Sequence, residues 1–124
     1  MAISRKYIPE KQLCIITAFQ DFSFEEIMDV VRWFYEVHPT KNAIWDFRHG
    51  TGENVTTEQI KVIVEYVGKH AQESRKGGKT AYVADEPLEF GSLRMADMLI
   101  KMKDVPFQIE IFKSLDEAME WIEK

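Results

Sequence analysis

Charged, imidazole and hydroxyl side chains collect in two polar segments of the sequence. They are Asp46, Arg48, His49, Thr51, Thr56 and Thr57 in the first segment, and Asp85, Glu86 and Arg94 in the second. Arg48 and Arg94 could both bind an anion at a helix start, where free backbone amides point outward. A purely structural interpretation stays open for each residue, because Asp46 could bond loop amides and Thr56 could cap a helix.

Two glycine-containing segments are similar to nucleotide-binding motifs, and both depart from them. The segment 76–80 ends in Gly-Lys-Thr, but a phosphate-binding loop needs a glycine where Glu73 stands and leads from strand into helix. The segment 49–52 does lie between a strand and a helix, but Val55 occupies the third glycine position of a dinucleotide fingerprint. We therefore predict a mobile loop at 49–52 and no bound cofactor.

The spacing of the histidines and the apolar neighbours of the single cysteine argue against metal binding and nucleophilic catalysis. His38, His49 and His70 are not spaced with another histidine or cysteine as metal ligands usually are. Cys14 has apolar neighbours on both sides, which predicts a buried small hydrophobe. A lone cysteine also excludes a disulfide within the chain and is typical of a reducing cytoplasm.

Composition limits the class of protein. The 124 residues are 45% hydrophobic and 30% charged, which predicts a single globular domain over residues 1–124. The 16 basic and 21 acidic residues give a net charge of −5, so nucleic acid and anionic membranes are not expected partners. The longest apolar run, 13–19, is too short to cross a bilayer and no secretory signal precedes it, so we expect a cytoplasmic protein.

Helices and strands alternate along the chain. A Ser or Thr followed three residues later by Glu or Gln marks three helix starts, at Ser23, Thr56 and Ser114. The predicted helices are 24–37, 57 to Gly77-Gly78, about 89–102, and 115 to the C-terminus. The predicted strands are 3–8, 13–19, 43–47, 80–84 and 107–112, the last at a sheet edge because its polar and apolar residues alternate. This order predicts a mixed, mostly parallel sheet with an antiparallel N-terminal addition.

Four segments resemble the SpoIIAA-like proteins, which are grouped with the STAS (anti-sigma-factor-antagonist) and Sec14-type domains. They are Ile-Trp-Asp-Phe-Arg at 44–48, Ala-Tyr-Val-Ala at 81–84, Phe-Gly-Ser-Leu-Arg-Met at 90–95, and the C-terminal run 112–122. The resemblance spans nearly the whole chain. It implies an α/β fold of four to five strands and four helices, ordered β-β-α-β-α-β-α-β-α, and a homodimer.

The chain departs from the STAS antagonists that a kinase switches. Those proteins resemble one another in an Asp-Ser-Ser/Thr-Gly run at the helix start after the Asp-bearing strand. This chain has Asn54-Val55-Thr56-Thr57-Glu58 there, so a phosphorylation switch at Thr56 or Thr57 is an open question.

Three functions remain open at this level. The leading hypothesis is a non-enzymatic binding or regulatory module for a protein partner or a small anionic ligand. A second is a Sec14-like carrier of a lipid or amphipathic ligand, which needs an apolar cavity. A third is an enzyme that acts at the strand ends through Asp46, His49 and Arg94.

Overall fold

The computed structural model describes residues 3–71 and 73–124, apart from the side chains of residues 88–90. Its strands are β1 (Ile3–Ile8), β2 (Leu13–Asp21), β3 (Asn42–Thr51), β4 (Lys79–Val83) and β5 (Gln108–Phe112). Its α-helices are α1 (Phe24–Glu36), α2 (Thr57–His70), α3 (Pro87–Lys101) and α4 (Leu115–Glu123). Short 3-10 turns occupy Pro9–Lys11 and Glu73–Arg75. The predicted order of strands and α-helices is confirmed.

The five strands form one sheet whose spatial order, β1-β2-β3-β4-β5, is the order of the chain. Strand β1 runs antiparallel to β2, and the other neighbouring pairs are parallel. The predicted antiparallel addition at the N-terminus and the edge position of β5 are both confirmed. Because successive crossovers step in the same direction, right-handed connections place α1, α2 and α3 on one face of the sheet.

The two faces of the sheet carry separate apolar clusters. The cluster on the first face joins sheet residues such as Cys14 and Ile16 to side chains of α1, α2 and α3. The cluster on the second face joins Leu13, Ile44 and the apolar residues of β4 to α4. Cys14 is fully buried, as predicted, and this burial raises the pKa of its thiol although the charge of Arg5 opposes the change.

The helix starts lie where the capping pattern predicts them. The side chains of Ser23 and Thr56 each accept a hydrogen bond from the backbone amide three residues on. The Glu26 and Gln59 side chains in turn accept a hydrogen bond from the backbone amide of the cap residue. Ser114 also accepts from the Glu117 amide, but the Glu117 carboxylate accepts from the Ser114 hydroxyl instead of the backbone. Two reciprocal capping boxes and one simple cap therefore fix the starts of α1, α2 and α4.

Two predicted boundaries were wrong. Strand β3 continues to Thr51, and residues 49–51 pair with Phe19, Gln20 and Asp21 beyond an irregularity in the pairing of β2 with β3, so most of the predicted mobile loop is strand. Helix α2 ends at His70 and does not reach Gly77-Gly78.

Gly77 and Gly78 lie after the end of α2 and contact residues next to the sheet. The Gly77 amide donates to the Pro106 carbonyl at 3.0 Å, and Gly77 has a φ of 75°, which glycine adopts without strain. A Cβ on Gly78 would lie 1.9 Å from the Lys41 carbonyl oxygen, so only glycine fits there. Both glycines thus tie this segment to the sheet.

Candidate functional site

The carboxyl end of β3 contains a closed ion pair. Arg48 donates from Nε to Oδ1 of Asp46 at 2.9 Å and from Nη2 to Oδ2 at 2.8 Å, and its backbone amide donates to Oδ1 at 3.1 Å. Asp46 is buried, whereas the Arg48 side chain is 25% exposed. This bidentate arrangement is the strongest geometry available to an arginine and a carboxylate.

The pair shifts both pKa values in the direction of the charged forms. Burial raises the pKa of Asp46, but the hydrogen bonds and charge of Arg48 outweigh burial, so the pKa lies below its ordinary value of 3.8. The pKa of Arg48 is raised, first by its hydrogen bonds to Asp46 and further by the charges of Asp85 and Asp116. Arg48 is therefore surrounded by negative charge.

The other predicted site residues are spread over several elements. His49 is exposed and stacks on Phe19, with 6.1 Å between ring centroids. The Thr51 hydroxyl accepts from the Glu53 amide at 3.4 Å. Thr56 caps α2, and its exposed neighbour Thr57 is the first residue of that helix.

The structure brings only some of the predicted residues together. Asp46, Arg48 and Asp85 form one electrostatic group. Asp46 lies two residues from Ile44 on β3 and so shares its face, the face that α4 covers. Arg48 bonds to Asp46 and is influenced by the charge of Asp116 in α4, so its guanidinium lies on the same face. Exposed Arg94 lies in a shallow surface groove of α3, and α3 covers the opposite face.

A cavity that the sequence did not predict lies between the sheet and helices α1, α2 and α3. Its volume is about 130 Å³. The sheet contributes Trp45, Phe47 and Tyr82 to its wall, with the rings of Trp45 and Phe47 stacked 6.2 Å apart. Aliphatic side chains of α2 and α3, such as Ile60 and Leu93, form the opposite wall. The cavity is therefore apolar over most of its surface.

Arg75 forms one end of this cavity and is only 1% exposed. It donates to the carbonyl oxygens of Lys41 at 3.1 Å and Lys79 at 3.4 Å, to the Tyr35 hydroxyl at 2.9 Å, and to the Thr80 hydroxyl. Its guanidinium carbon lies 4.2 Å from the centroid of the Phe107 ring. Within the described ranges, no carboxylate forms an ion pair with Arg75.

The tyrosines of the cavity stay protonated at neutral pH. Burial raises the pKa of Tyr35, and the charge and hydrogen bond of Arg75 reduce this increase without reversing it. Burial also raises the pKa of Tyr82, with further increases from Tyr35 and Asp97. The end of the cavity at Arg75 therefore carries the positive charge of arginine and neutral hydroxyl groups.

Sequence reasoning missed Arg75, although the signal was present. Arg75 follows Ala71 by four residues and so continues the apolar stripe of α2 that includes Val64 and Val67. A charged residue in register with a buried stripe indicates a buried charge. The 3-10 turn at Glu73–Arg75 keeps that side chain pointing into the interior after the α-helix has ended.

This architecture, with three helices on one face of a mixed sheet and one on the other, is the SpoIIAA-like fold. The chain is similar to the crystal structure of an uncharacterised protein of the DUF3478 family from Shewanella loihica PV-4, described as having a SpoIIAA-like fold. The TM-score is 0.60 at 14% sequence identity, and the match covers 98% of this chain and 92% of that chain. The likeness confirms the predicted fold. No protein-family model and no curated protein matches the chain.

Metal-ligand clusters and membrane-spanning helices are both absent from the part of the chain that the structure describes. Residues 3–71 and 73–124 contain no group of three or more His, Cys, Asp or Glu side chains that could hold a metal ion. In the same ranges, none of the helices combines the length and the hydropathy that a membrane-spanning helix requires.

Proposed function

We propose that this protein is a non-enzymatic binding module whose ligand is a small molecule held in the cavity between the sheet and helices α1, α2 and α3. The observation that carries the proposal is the cavity itself. Close-packed protein interiors hold few voids larger than a water molecule. A dry, apolar cavity of about 150 Å³ is large enough for benzene, so about 130 Å³ is enough for a single ring or a short acyl chain.

The lining supports a binding role. Small-molecule pockets combine a mostly apolar wall with a few placed polar groups that orient the ligand. Here the aromatic wall of Trp45, Phe47 and Tyr82 supplies the apolar contact, and Arg75 supplies a polar end. This combination favours the amphipathic-ligand hypothesis among the functions that the sequence left open.

The position of the cavity in the sheet supports the same role. Gly52 and Val55, from the connection between β3 and α2, line the cavity near the carboxyl ends of the parallel strands. Ligand sites of open α/β sheets collect at that edge. A Cβ on Gly52 would lie 2.8 Å from the Phe22 ring, so glycine lets this connection pack closely over the ring.

The strand-end group around Arg48 is a weaker candidate for the ligand site. Its guanidinium already has a bidentate carboxylate partner in Asp46, and Asp85 and Asp116 add negative charge nearby. An incoming anion would have to displace Asp46 or approach these carboxylates. Arg75 has neither obstacle among the described residues.

A cavity-filling variant tests the proposal with toluene as a neutral, apolar probe. Ala96 lines the cavity from α3, so Ala96→Leu places extra carbon atoms inside it. Gly91→Leu is the matched control, because Gly91 lies on the same helix and a Cβ there meets nothing within 4 Å. We expect toluene to raise the melting temperature of the wild type and of Gly91→Leu, but not of Ala96→Leu.

The size of the shift follows from the affinity. A ligand at a hundredfold excess over its Kd stabilises the folded state by about 2.7 kcal/mol. No toluene-dependent shift in the wild type, or an equal shift in Ala96→Leu, would show that the cavity does not bind small apolar molecules.

A further inference from the structure

The hydrogen bonds of Arg75 leave one of its N–H donors without an acceptor at one end of the cavity. An arginine side chain has five N–H donors. The Nε donor reaches Lys41, the two Nη2 donors reach Lys79 and Thr80, and one Nη1 donor reaches Tyr35. The second Nη1 donor has no acceptor among the described residues.

The two hydroxyl groups add to this surplus. The hydroxyl oxygens of Tyr35 and Thr80 accept from Arg75, so the hydrogen of each hydroxyl is available to donate to another group. The raised pKa of Tyr35 keeps that hydrogen in place at neutral pH. Three donors, one each from Arg75, Tyr35 and Thr80, therefore belong to residues that line the cavity, and no acceptor for them is found among the described residues.

This end of the cavity also carries a positive charge, that of Arg75, without a negative partner among the described residues. The guanidinium stays positively charged at physiological pH, and burial makes a charge without an anionic partner costly. The aromatic faces of Phe107 and Phe34, at 4.2 and 5.2 Å from the guanidinium carbon, offset part of that cost. A carboxylate supplies what is missing, because it only accepts hydrogen bonds and carries one negative charge.

We infer that the cavity binds a small monocarboxylate whose charged group contacts Arg75, Tyr35 and Thr80 and whose apolar body lies along Trp45 and Phe47. This inference rests on the proposed function and names the class of ligand. Thr80 pairs with Ala43 in the parallel register, and Phe47 lies four residues further along β3. Four residues of strand span about 13 Å, which suits one carboxylate followed by one ring or a short acyl chain.

A carboxylate of the protein lies near the cavity and does not take this role. The charge of Asp97 contributes to the raised pKa of Tyr82, although burial is the main cause. Its Oδ2 atom is paired with Lys101 at 3.2 Å, one turn along α3. Its Oδ1 atom is buried without a partner among the described residues. Asp97 is not among the residues that line the cavity, lies instead in the surface groove of α3, and forms no ion pair with Arg75.

A series of ligands with one apolar body tests the inference on the wild-type protein. Phenylacetate, 2-phenylethanol and 2-phenylethylamine share a phenyl ring and differ in the charge of the attached group. We expect phenylacetate to bind at least tenfold more tightly than the alcohol, and the amine to bind more weakly than the alcohol, as measured by calorimetry at neutral pH.

Salt separates the buried site from a surface site. Exposed charges are screened within about 10 Å at 0.1 M ionic strength, whereas buried pairs are screened much less. We expect the Kd of phenylacetate to change less than threefold between low and high salt. A large loss of affinity in high salt would place the carboxylate on a surface arginine instead and would overturn the inference.

A variant that removes one hydroxyl tests the contact itself. Tyr35→Phe deletes a donor to the carboxylate, so we expect phenylacetate to bind several-fold more weakly while the affinity for 2-phenylethanol changes little. Tyr66→Phe is the matched control, because the Tyr66 hydroxyl bonds to Glu36 outside the cavity. Equal affinities for phenylacetate in wild type and Tyr35→Phe would contradict the proposed contact.

The outcomes separate this inference from the proposed function. If toluene binds but phenylacetate binds no more tightly than 2-phenylethanol, the cavity takes neutral ligands and the carboxylate inference is wrong. If neither toluene nor any member of the series binds, the proposed function fails as well.

Discussion

Arg48 and Arg75 are held in opposite ways at opposite ends of the parallel strands. Arg48 is a quarter exposed and bonds to the carboxylate of Asp46, two residues earlier on the same strand. Arg75 is buried and has no carboxylate partner among the described residues. It donates to the Tyr35 hydroxyl and the Lys41 carbonyl, and to the Lys79 carbonyl and the Thr80 hydroxyl at the start of β4. The comparison teaches that two arginines of one sheet can differ in whether the protein itself supplies the negative partner, and this difference is the reason for proposing a ligand at Arg75 and not at Arg48.

The largest effect is expected from removing Arg75. Arg75→Met leaves buried oxygen atoms of Lys41, Tyr35 and Thr80 without their donor, and each such loss costs about 1–3 kcal/mol. We expect the free energy of unfolding to fall by about 3 kcal/mol or more, measured by urea denaturation.

Arg48→Met is the comparison variant. Its partner Asp46 keeps a bond from the backbone amide of residue 48, and water reaches the partly exposed site. We therefore expect a loss of about 1–2 kcal/mol. Equal losses for the two variants would show that burial does not distinguish the two arginines.

A pH-dependent effect of similar size is expected from Asp46→Asn. Because the folded-state pKa of Asp46 is lowered, its charge stabilises the protein above the ordinary value of 3.8, and this contribution disappears as the pH falls through the folded-state pKa. We expect Asp46→Asn to cost about 2 kcal/mol at neutral pH and progressively less in acid, measured by urea denaturation across that range.

Asp29→Asn serves as the control for that titration. Asp29 pairs with Arg32 one turn along α1, and its side chain is 78% exposed. Exposed pairs of this kind contribute little, so its pH profile should follow the wild type. A constant difference between Asp46→Asn and the wild type at every pH would contradict the assignment of the shift to Asp46.

The smallest effect is expected at the start of α2. Thr56→Ala removes the hydroxyl that accepts from the Gln59 amide, and a lost cap costs about 1 kcal/mol. Thr57→Ala should change stability by less than about 0.5 kcal/mol, because Thr57 is exposed and is not the cap. Thermal melts with and without phosphate measure both variants.

Melting in the presence of phosphate also tests whether an anion binds at the carboxyl ends of the strands or only at Arg75. If Thr56 acts only as a cap, phosphate leaves the difference between Thr56→Ala and wild type unchanged. A phosphate-dependent stabilisation that Arg94→Ala abolishes would instead support an anion site at the strand ends, and it would move the proposed ligand away from Arg75.

Local signals predicted most of the fold. The capping boxes at Ser23 and Thr56 depend on residues three apart, so the sequence alone locates those helix starts. The C-terminal end of β3 could not be predicted from local signals, because residues 49–51 form strand only through their pairing with β2. The end of α2 at His70 was not predicted either, because Gly77-Gly78, where the sequence placed that end, lie beyond the helix against Lys41 and Pro106.

The candidate site was predictable only in part. Asp46 and Arg48 are two residues apart on one strand, so the sequence alone already places them close together. The cavity depends on how three helices pack over Trp45 and Phe47, and no periodicity in the sequence specifies the space left between them. The role of Arg75 depends on the same packing, since its partners come from α1, the start of β3 and the start of β4.

The identity between spatial order and chain order in the sheet has a kinetic consequence. Each strand pairs with the strand that precedes it in the chain, so every pairing closes one hairpin or one helical crossover and no pairing waits for a distant segment. Loop closure is an entropic barrier that grows with the length of chain enclosed, and folds rich in sequence-local pairings fold faster. The sheet can therefore grow outward from the β1–β2 hairpin by adding one strand at a time.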